Sequence, residues 1–471
     1  MPITITNEKM LCGLGDRDPA TGDLRAEAMD RALTTLKRFA MLIDFERPET
    51  LEVFATAAVR DAPNGKDFLR EINTAGLRPQ LLSGEEEARL AGLGILCSAP
   101  EIQRDALEAL GGDLGGGSLE LSRLSGAARG EIKDIVSLPI GSLRLLTEFG
   151  DRDQAAVDFV DEQFSSAPWL SDLSSPHLYI VGGAWRAIAR VGMWMAEHPV
   201  PILDHYSMDA DQALEVCGRV ERSSPEELGQ ISGVQKKRTP TLPMSAMVLR
   251  RLIERSGAQR VVVSACGVRE GLLFDQLPEA ARLEEPLEAL AKDLAARQTG
   301  GRLPDPEAVA RLTDPLFSDQ IAQQRLRRAA AMLIRMANIT HPDQRTGHAS
   351  AVIMSAPFLG LDHNDRCLLA AMVKAHLGSS LEKSDPIIPL EVLSDADRTY
   401  ALQVGRAHRL ASSLRTPLYQ KRSGFSLKRA DDRLLLQVAA RVKDLVVEQV
   451  VKDLDRLADA LSLPAEIQYT A

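Results

Sequence analysis

The nine residues from Asp113 to Leu121, DLGGGSLEL, restrict this chain more than any other stretch. Apolar residues flank three consecutive glycines, so the spacing predicts a strand, a tight turn and a second strand. Glycine takes positive φ at little cost, so successive N–H groups in such a turn can converge on phosphate oxygens. Asp113 falls at the strand end, placed to hold a metal or a metal-bound water. Glu120 supplies a second carboxylate nearby. A hairpin using glycine only for turn geometry is the commoner explanation of a lone GGGS. The flanking acids weigh against it.

Other stretches repeat the theme. PHLYIVGGAWRAIARV at 176–191 predicts a buried strand, a turn at Gly182-Gly183 and a helix. QRVVVSACGVREGLLFDQL at 259–277 predicts the same order. Upstream, 27–44 has helical spacing and LEVFATAA at 51–58 suits a buried strand. Residues 66–76 suit a helix, RPQLLSG at 78–84 a strand, and EEEARLAGLGIL a further helix. Strand and helix signals therefore alternate, which argues α/β. Ligands in open α/β sheets gather at the carboxyl ends of strands, which is where these glycines fall. From 307 to 471 the pattern is mainly helical, including DRLLLQVAARVKDLVVEQVVKDLDRLADAL.

Single residues say less. Arg60, just past the LEVF run, is placed to grip phosphate bidentately, although a lone arginine is more often a solvated or salt-bridged one. One acid of Glu85-Glu86-Glu87 could orient a water as general base. Acids in a first helical turn are also simply favoured by the helix dipole. His348, His363 and His376 show no metal-ligand spacing and are read as structural.

Composition then removes whole classes. With 471 residues, 45% hydrophobic and 26% charged, the chain is neither disordered nor fibrous. Five scattered cysteines form no CxxC pair, so no disulfide framework is expected. No signal peptide and no membrane-spanning run is read, and a cytoplasmic location is expected. The formal net charge of −10 hides an asymmetry. Residues 1–300 hold 33 Lys+Arg against 46 Asp+Glu, whereas 301–471 hold 23 against 20. Two basic runs contain no acid: 320–342 (Arg325, Arg327, Arg328, Arg335) and 398–430 (including Arg406, Arg409, Arg415, Lys421, Arg422, Lys428 and Arg429). Such runs are usually solvated faces, but two in an acidic chain suggest a path for a polyanion. Aromatics are scarce there, so base stacking and nucleic-acid binding are not expected.

Taken together, ATAAVRDAPNG (55–65), LSGEEEARLAGLGIL (82–96), DLGGGSLEL (113–121), YIVGGAWRAIARV (179–191) and SACGVREGLLFDQL (264–277) resemble the exopolyphosphatase / guanosine pentaphosphate phosphohydrolase family. The blocks are ordered as in the family, and the resemblance runs over about 15–425. It implies an actin-like, ribonuclease H-like fold of the acetate/sugar-kinase type in two α/β domains, plus a C-terminal all-α HD-like domain. The expected divisions are 1–112, 113–285, a linker at 286–306, and a helical domain at 307–471 without the His-Asp dyad. The resemblance implies Glu87 as catalytic base, Arg60 on phosphate, and Asp113 and Glu120 as the acids associated with Mg²⁺ (or Mn²⁺) and catalysis. Gly115, Gly116, Gly117 and Ser118 match the phosphate loop, and Gly182 and Gly183 a further one. The helical domain's bases (Arg415, Lys421, Arg422, Lys428, Arg429) would hold a polyanion.

The activity implied by the resemblance is that of an exopolyphosphatase, releasing orthophosphate from inorganic polyphosphate as a homodimer with a place in the stringent response. The alternatives are a guanosine pentaphosphate 5′-phosphohydrolase and a weakly active polyphosphate-binding regulatory protein. One departure stands out. The family's opening Asp-x-Gly-Ser-Asn-Ser loop is absent before residue 55, so the first domain is expected to lack its opening hairpin.

Overall fold

The apolar runs that flank the glycines pair into one sheet. In the computed structural model, which describes residues 4–126, 131–150, 152–174, 176–299, 305–381, 385–414, 424–430 and 432–470, the chain forms two compact units, Pro2–Arg282 and Leu283–Ala471.

The first unit is built on six strands: β3 (Glu108–Leu114), β4 (Leu119–Ser125), β5 (Glu131–Leu138), β6 (His177–Val181), β7 (Ser207–Asp209) and β8 (Arg260–Val263). Their order is β5-β4-β3-β6-β8-β7, with β3, β6 and β8 parallel. Side chains along these strands alternate between two cores, as the period of two requires. Leu110, Leu178, Ile180, Val261 and Val263 face one side, under the helices Gly183–Met195, Ala210–Arg222 and Leu242–Ser256. Ala109, Tyr179, Val181 and Val262 face the other, with Ile95 and Leu96 of the helix Gly84–Ser98. The unit is therefore a three-layer α/β/α sandwich around a mixed sheet. The division expected at 112 falls inside β3.

The segment before it is thinner. Only two short strands form among its described residues, β1 (Phe54–Ala55) and β2 (Gln80–Leu81), which pair in parallel. The eight-residue strand expected at 51–58 is thus a two-residue one. Ala57–Arg60 turns into a helix instead, consistent with the high helix propensity of alanine. The expected helices at 27–44 and 66–76 form as Ala26–Glu46 and Gly65–Thr74. They close a small core of Leu24, Ala32, Val59, Phe68, Ile72 and Leu77.

The second unit corrects the all-α expectation. Its helices include Gln324–Leu333, His363–His376, Asp395–Ser413 and Glu448–Ala460, but β9 (Phe425–Arg429), β10 (Leu434–Ala439) and β11 (Ala465–Thr470) form a sheet of order β11-β10-β9. The stretch read as helical from 432 is a strand, a 3₁₀ segment and a helix. Leu434, Leu436 and Val438 are buried while Leu435, Gln437 and Ala439 are half-buried, so the period is two there. The segment expected as a linker at 286–306 carries the helix Pro286–Thr299.

Candidate active site

Strand register brings the acids together. Asp113 and Glu120 are directly opposed partners in the antiparallel β3–β4 pair. Directly opposed residues share a face of the sheet, and like charges there repel. Burial, then the charge of Glu87, raises the Glu120 carboxyl well above the ordinary glutamate range. Burial, followed by the charges of Glu87 and Glu270, pushes Asp113 up to about 6, against the pull of Arg186. The Ser137 hydroxyl on β5 donates to Glu120 Oε1 at 2.8 Å, and Ser118 also engages that carboxyl.

The three acids of the helix Gly84–Ser98 separate by environment. Ser83 caps the helix, accepting from the Glu86 amide at 3.1 Å. Glu85 is exposed. Glu86 is held by Arg89 at 2.8 and 2.9 Å, and Arg89 also reaches Asp275 at 2.8 Å. Glu87 is buried, 8% exposed, one position further round the helix. Its carboxyl is raised by burial, opposed by Arg60.

Arg60 ends the short helix Ala57–Arg60. Its Nη1 donates to Glu87 Oε2 and to the Leu82 carbonyl, both at 3.0 Å, and its Nε to Asp61 Oδ1 at 3.2 Å. Its Nη2 has no described acceptor. Asp61 also takes Arg144 at 2.5 Å. Arg17 donates to the carbonyls of Ala57, Ala58 and Asp61 at 2.9–3.1 Å. Three guanidinium groups therefore surround one aspartate beside the glycine turn. Arg17, Asp61, Arg144 and Ser137 were not singled out from the sequence. Only the adjacency of Asp61 to Arg60 gave a local signal.

The turn itself is organised by its carbonyls. Gly115 O accepts from Ser142 N at 3.2 Å, and Gly116 O from Leu143 and Arg144 at 3.0 Å. Gly115 N closes the turn onto Ser118 O at 2.9 Å. The amides of Gly116 and Gly117 donate to no protein acceptor among the described residues, and both glycines are partly exposed. Those N–H groups are free for an anion. On the other side, Gly182 has φ +100°, which L side chains rarely adopt. A Cβ there would lie 3.1 Å from Asp113 Oδ1 and 2.4 Å from the Leu114 carbonyl. Asp113 is thus bracketed by the turn after β6.

A divalent cation fits part of this set. Two opposed carboxylates with raised proton affinity are stabilised by a positive charge between them. Among the described residues no group of three or more metal-ligating side chains converges. Magnesium commonly uses one or two carboxylates and completes its shell with water and phosphate oxygens, so two suffice. Among the polyanion-track residues, Lys428 and Arg429 are exposed on β9, whereas Arg415, Lys421 and Arg422 lie outside the described residues. The run 320–342 does not form such a track. Arg327 pairs with Asp314 at 2.9 Å, Arg325 with Asp365, and Arg328 with Glu288 and Glu307. No described helix is long and apolar enough to cross a membrane.

Known proteins match the part of the chain that carries these residues. Residues 2–280 match the Ppx/GppA phosphatase family. Exopolyphosphatase 1 of Mycobacterium tuberculosis is 26% identical over 324 residues, 66% of this chain and 91% of that protein. Retrograde regulation protein 2 of Saccharomyces cerevisiae is 24% identical over 410 residues, 79% of this chain and 67% of its own length. Among solved structures, an exopolyphosphatase from Cytophaga hutchinsonii superposes with a TM-score of 0.52 at 24% identity, covering 58% of this chain and 89% of that one. That likeness carries the actin-like fold.

Proposed function

The chain belongs to the Ppx/GppA phosphatase family, and from that premise we propose that it hydrolyses the terminal phosphoanhydride bond of inorganic polyphosphate and releases orthophosphate. The observation that carries this reading is the buried Glu87, held by Arg60 in one cluster with Asp113 and Glu120. The relatives named exopolyphosphatase support the substrate.

The chemistry assigned to each residue follows from its surroundings. Phosphoryl transfer to water needs positioning and charge neutralisation more than covalent help. Glu87 sits in a dry environment that raises its proton affinity, which suits a base that orients and deprotonates water. Arg60 spends Nη1 on Glu87 and keeps Nη2 for a phosphate oxygen. The Gly116 and Gly117 amides take further oxygens of the terminal phosphate. Asp113 and Glu120 would hold magnesium, which when bound neutralises phosphate charge. A bound cation would also favour the ionised form of both carboxylates.

Phosphate release from long-chain polyphosphate with Mg²⁺, compared between the protein and Glu87→Gln, tests the reading. We expect kcat to fall by about 10²–10⁴-fold. Equal rates for the two proteins would remove Glu87 as base, and no phosphate release by the unsubstituted protein would remove the hydrolase reading. Guanosine pentaphosphate in the same assay decides the substrate: faster release from it would overturn polyphosphate as the preferred one.

A further inference from the structure

A cavity of about 670 Å³ opens among the helices of Leu283–Ala471, and none of its lining belongs to the acidic cluster around Glu87. The helices Arg345–Ser355, His363–His376, Asp395–Ser413 and Glu448–Ala460 all contribute to its walls. Its volume is in the range of sites that take small organic molecules. Ile334, Leu377, Leu445 and Val447 make part of the lining apolar, and the last two are exposed, which puts them at the mouth. Among the described residues no Phe, Tyr or Trp lines it, so a flat aromatic ligand finds no stacking partner there.

The polar lining is short of partners. His376 is 9% exposed and ends the helix His363–His376. Burial, then the charge of Arg409, pushes its imidazolium down to about 4, so the ring is neutral at neutral pH. The Ile334 backbone takes a hydrogen bond from the ring, and Nδ1 is buried with no partner among the described residues. A neutral ring carries one proton, so Nε2 holds it and Nδ1 is a bare acceptor. A buried acceptor without a donor is costly, and a ligand hydroxyl would relieve it.

Cations face the same space. Arg345 donates Nε to the Thr340 carbonyl at 3.3 Å, and neither Nη finds an acceptor among the described residues. Arg409 spends Nε on Asp453 at 3.0 Å and Nη1 on the His376 carbonyl at 3.3 Å, which leaves Nη2. Ser412 lies three residues further along the same helix face, and its hydroxyl has no described partner. Asp453 is 1% exposed and is met by Arg409, Arg456 and Ser413. Asp444, the other acid of the lining, is exposed to solvent. Burial, then the charges of Arg456 and Arg409, lower the neighbouring Arg406, which makes no ion pair among the described residues. Positive charge therefore exceeds negative in the interior of the cavity, which favours an anion.

We propose that this cavity binds a sugar phosphate, with the phosphate on Arg345, Arg409 Nη2 and Ser412 and a sugar hydroxyl donating to His376 Nδ1. Donors spread over two helices suit the three oxygens of a phosphate monoester better than a flat carboxylate. The apolar wall takes the C–H faces of the sugar. The site stands whether or not the protein hydrolyses polyphosphate.

Titration calorimetry of the full chain with glucose 6-phosphate and with inorganic phosphate tests the site. Glucose 6-phosphate is expected to bind about ten-fold more tightly than inorganic phosphate, through the hydroxyl on His376. Arg345→Gln is expected to weaken glucose 6-phosphate about ten-fold, the loss of one charge-assisted contact, and Arg345→Lys recovers part of it. The difference between the protein and Arg345→Gln is what is read, so binding of either probe at the Glu87 cluster cancels. His376→Leu brings glucose 6-phosphate down to the affinity of inorganic phosphate, and His376→Gln, which keeps an acceptor, recovers part. Arg345 makes one long hydrogen bond within the protein, so Arg345→Gln keeps the test valid if His376→Leu misfolds. No binding of glucose 6-phosphate overturns the site, as does equal affinity for the two probes. Affinity unchanged by Arg345→Gln, or by a folded His376→Leu protein, overturns it as well.

Discussion

In Leu283–Ala471, Arg325, Arg327, Arg328, Arg398 and Arg409 each reach a carboxylate, whereas Lys9, Arg186, Lys237 and Arg238 in the other unit reach none among the described residues. The first set looked free in the sequence because its runs contain no acid. The acids come from elsewhere: Asp314 is 13 residues from Arg327, Asp365 is 40 from Arg325 and Asp453 is 44 from Arg409. The second set sits in the acidic half of the chain and looked balanced. A net charge of +3 or −13 for a region therefore says little about which charges remain available. Available charge is what attracts a polyanion, and neutralised charge is what holds a fold.

The strongest way to break this contrast is at Arg327. Its side chain is 4% exposed, pairs with Asp314, donates to the Gln320 carbonyl and Tyr400 hydroxyl, and stacks 5.4 Å from the Phe317 ring centre. Arg327→Ala leaves Asp314 without its cation and opens a cavity. We expect a loss of about 3–5 kcal/mol in urea unfolding. Arg238→Gln, by comparison, should cost almost no stability, because its guanidinium has no ion-pair partner among the described residues to abandon. Comparable losses for the two would erase the distinction between structural and available cations.

Much of the fold was legible because its strands are short apolar runs ended by glycine. β3, β4, β6 and β8 lie where those runs predicted them. Register did the rest, since Asp113 and Glu120 are seven residues apart and fall opposite each other across a three-glycine turn. What failed was periodicity in dense apolar stretches. Three successive leucines at 434–436 satisfy a helical stripe and a strand face alike, and pairing with β9 and β11 decided for the strand. The cations around Gly183 were not legible because Lys9, Arg186 and Arg238 are distant in sequence. Only the run Lys236-Lys237-Arg238 marked the place. Asp61 and Arg144 were hidden for the same reason, being 83 residues apart.

The acidic centre supplies an effect of intermediate size. The Asp113 carboxyl is pushed up to about 6 in the fold, above its unfolded value. Its contribution to stability is therefore fully present below pH 4 and is lost as pH rises through about 6. Removing the charge should relieve that loss. Asp113→Asn is expected to raise Tm of the metal-free protein at pH 8 by about 2–4 °C, the shift of roughly 1 kcal/mol, and to change nothing near pH 4. The same variant should abolish phosphate release. Thermal melts at the two pH values, without and with Mg²⁺, check this, and added Mg²⁺ should stabilise only the unsubstituted protein. A variant less stable at pH 8 than its parent would mean that Asp113 is paired rather than strained.

The smallest effect belongs to two cations that remain open on β9 of the second unit. Lys428 and Arg429 are exposed on β9 and make no ion pair among the described residues. They differ from Arg238 in standing exposed on a strand, whereas Arg238 packs against the glycine turn at Gly183. Isolated surface charges contribute about 0.2–1 kcal/mol. Lys428→Gln combined with Arg429→Gln should therefore raise KM for long-chain polyphosphate by about two- to five-fold, and leave KM for tripolyphosphate unchanged. Arg238→Gln should raise both. A larger effect at β9 than at Arg238 would invert the ranking and place the chain-holding surface in Leu283–Ala471. Equal effects on long and short chains at β9 would show a general field, because a track is felt only by a substrate long enough to lie on it.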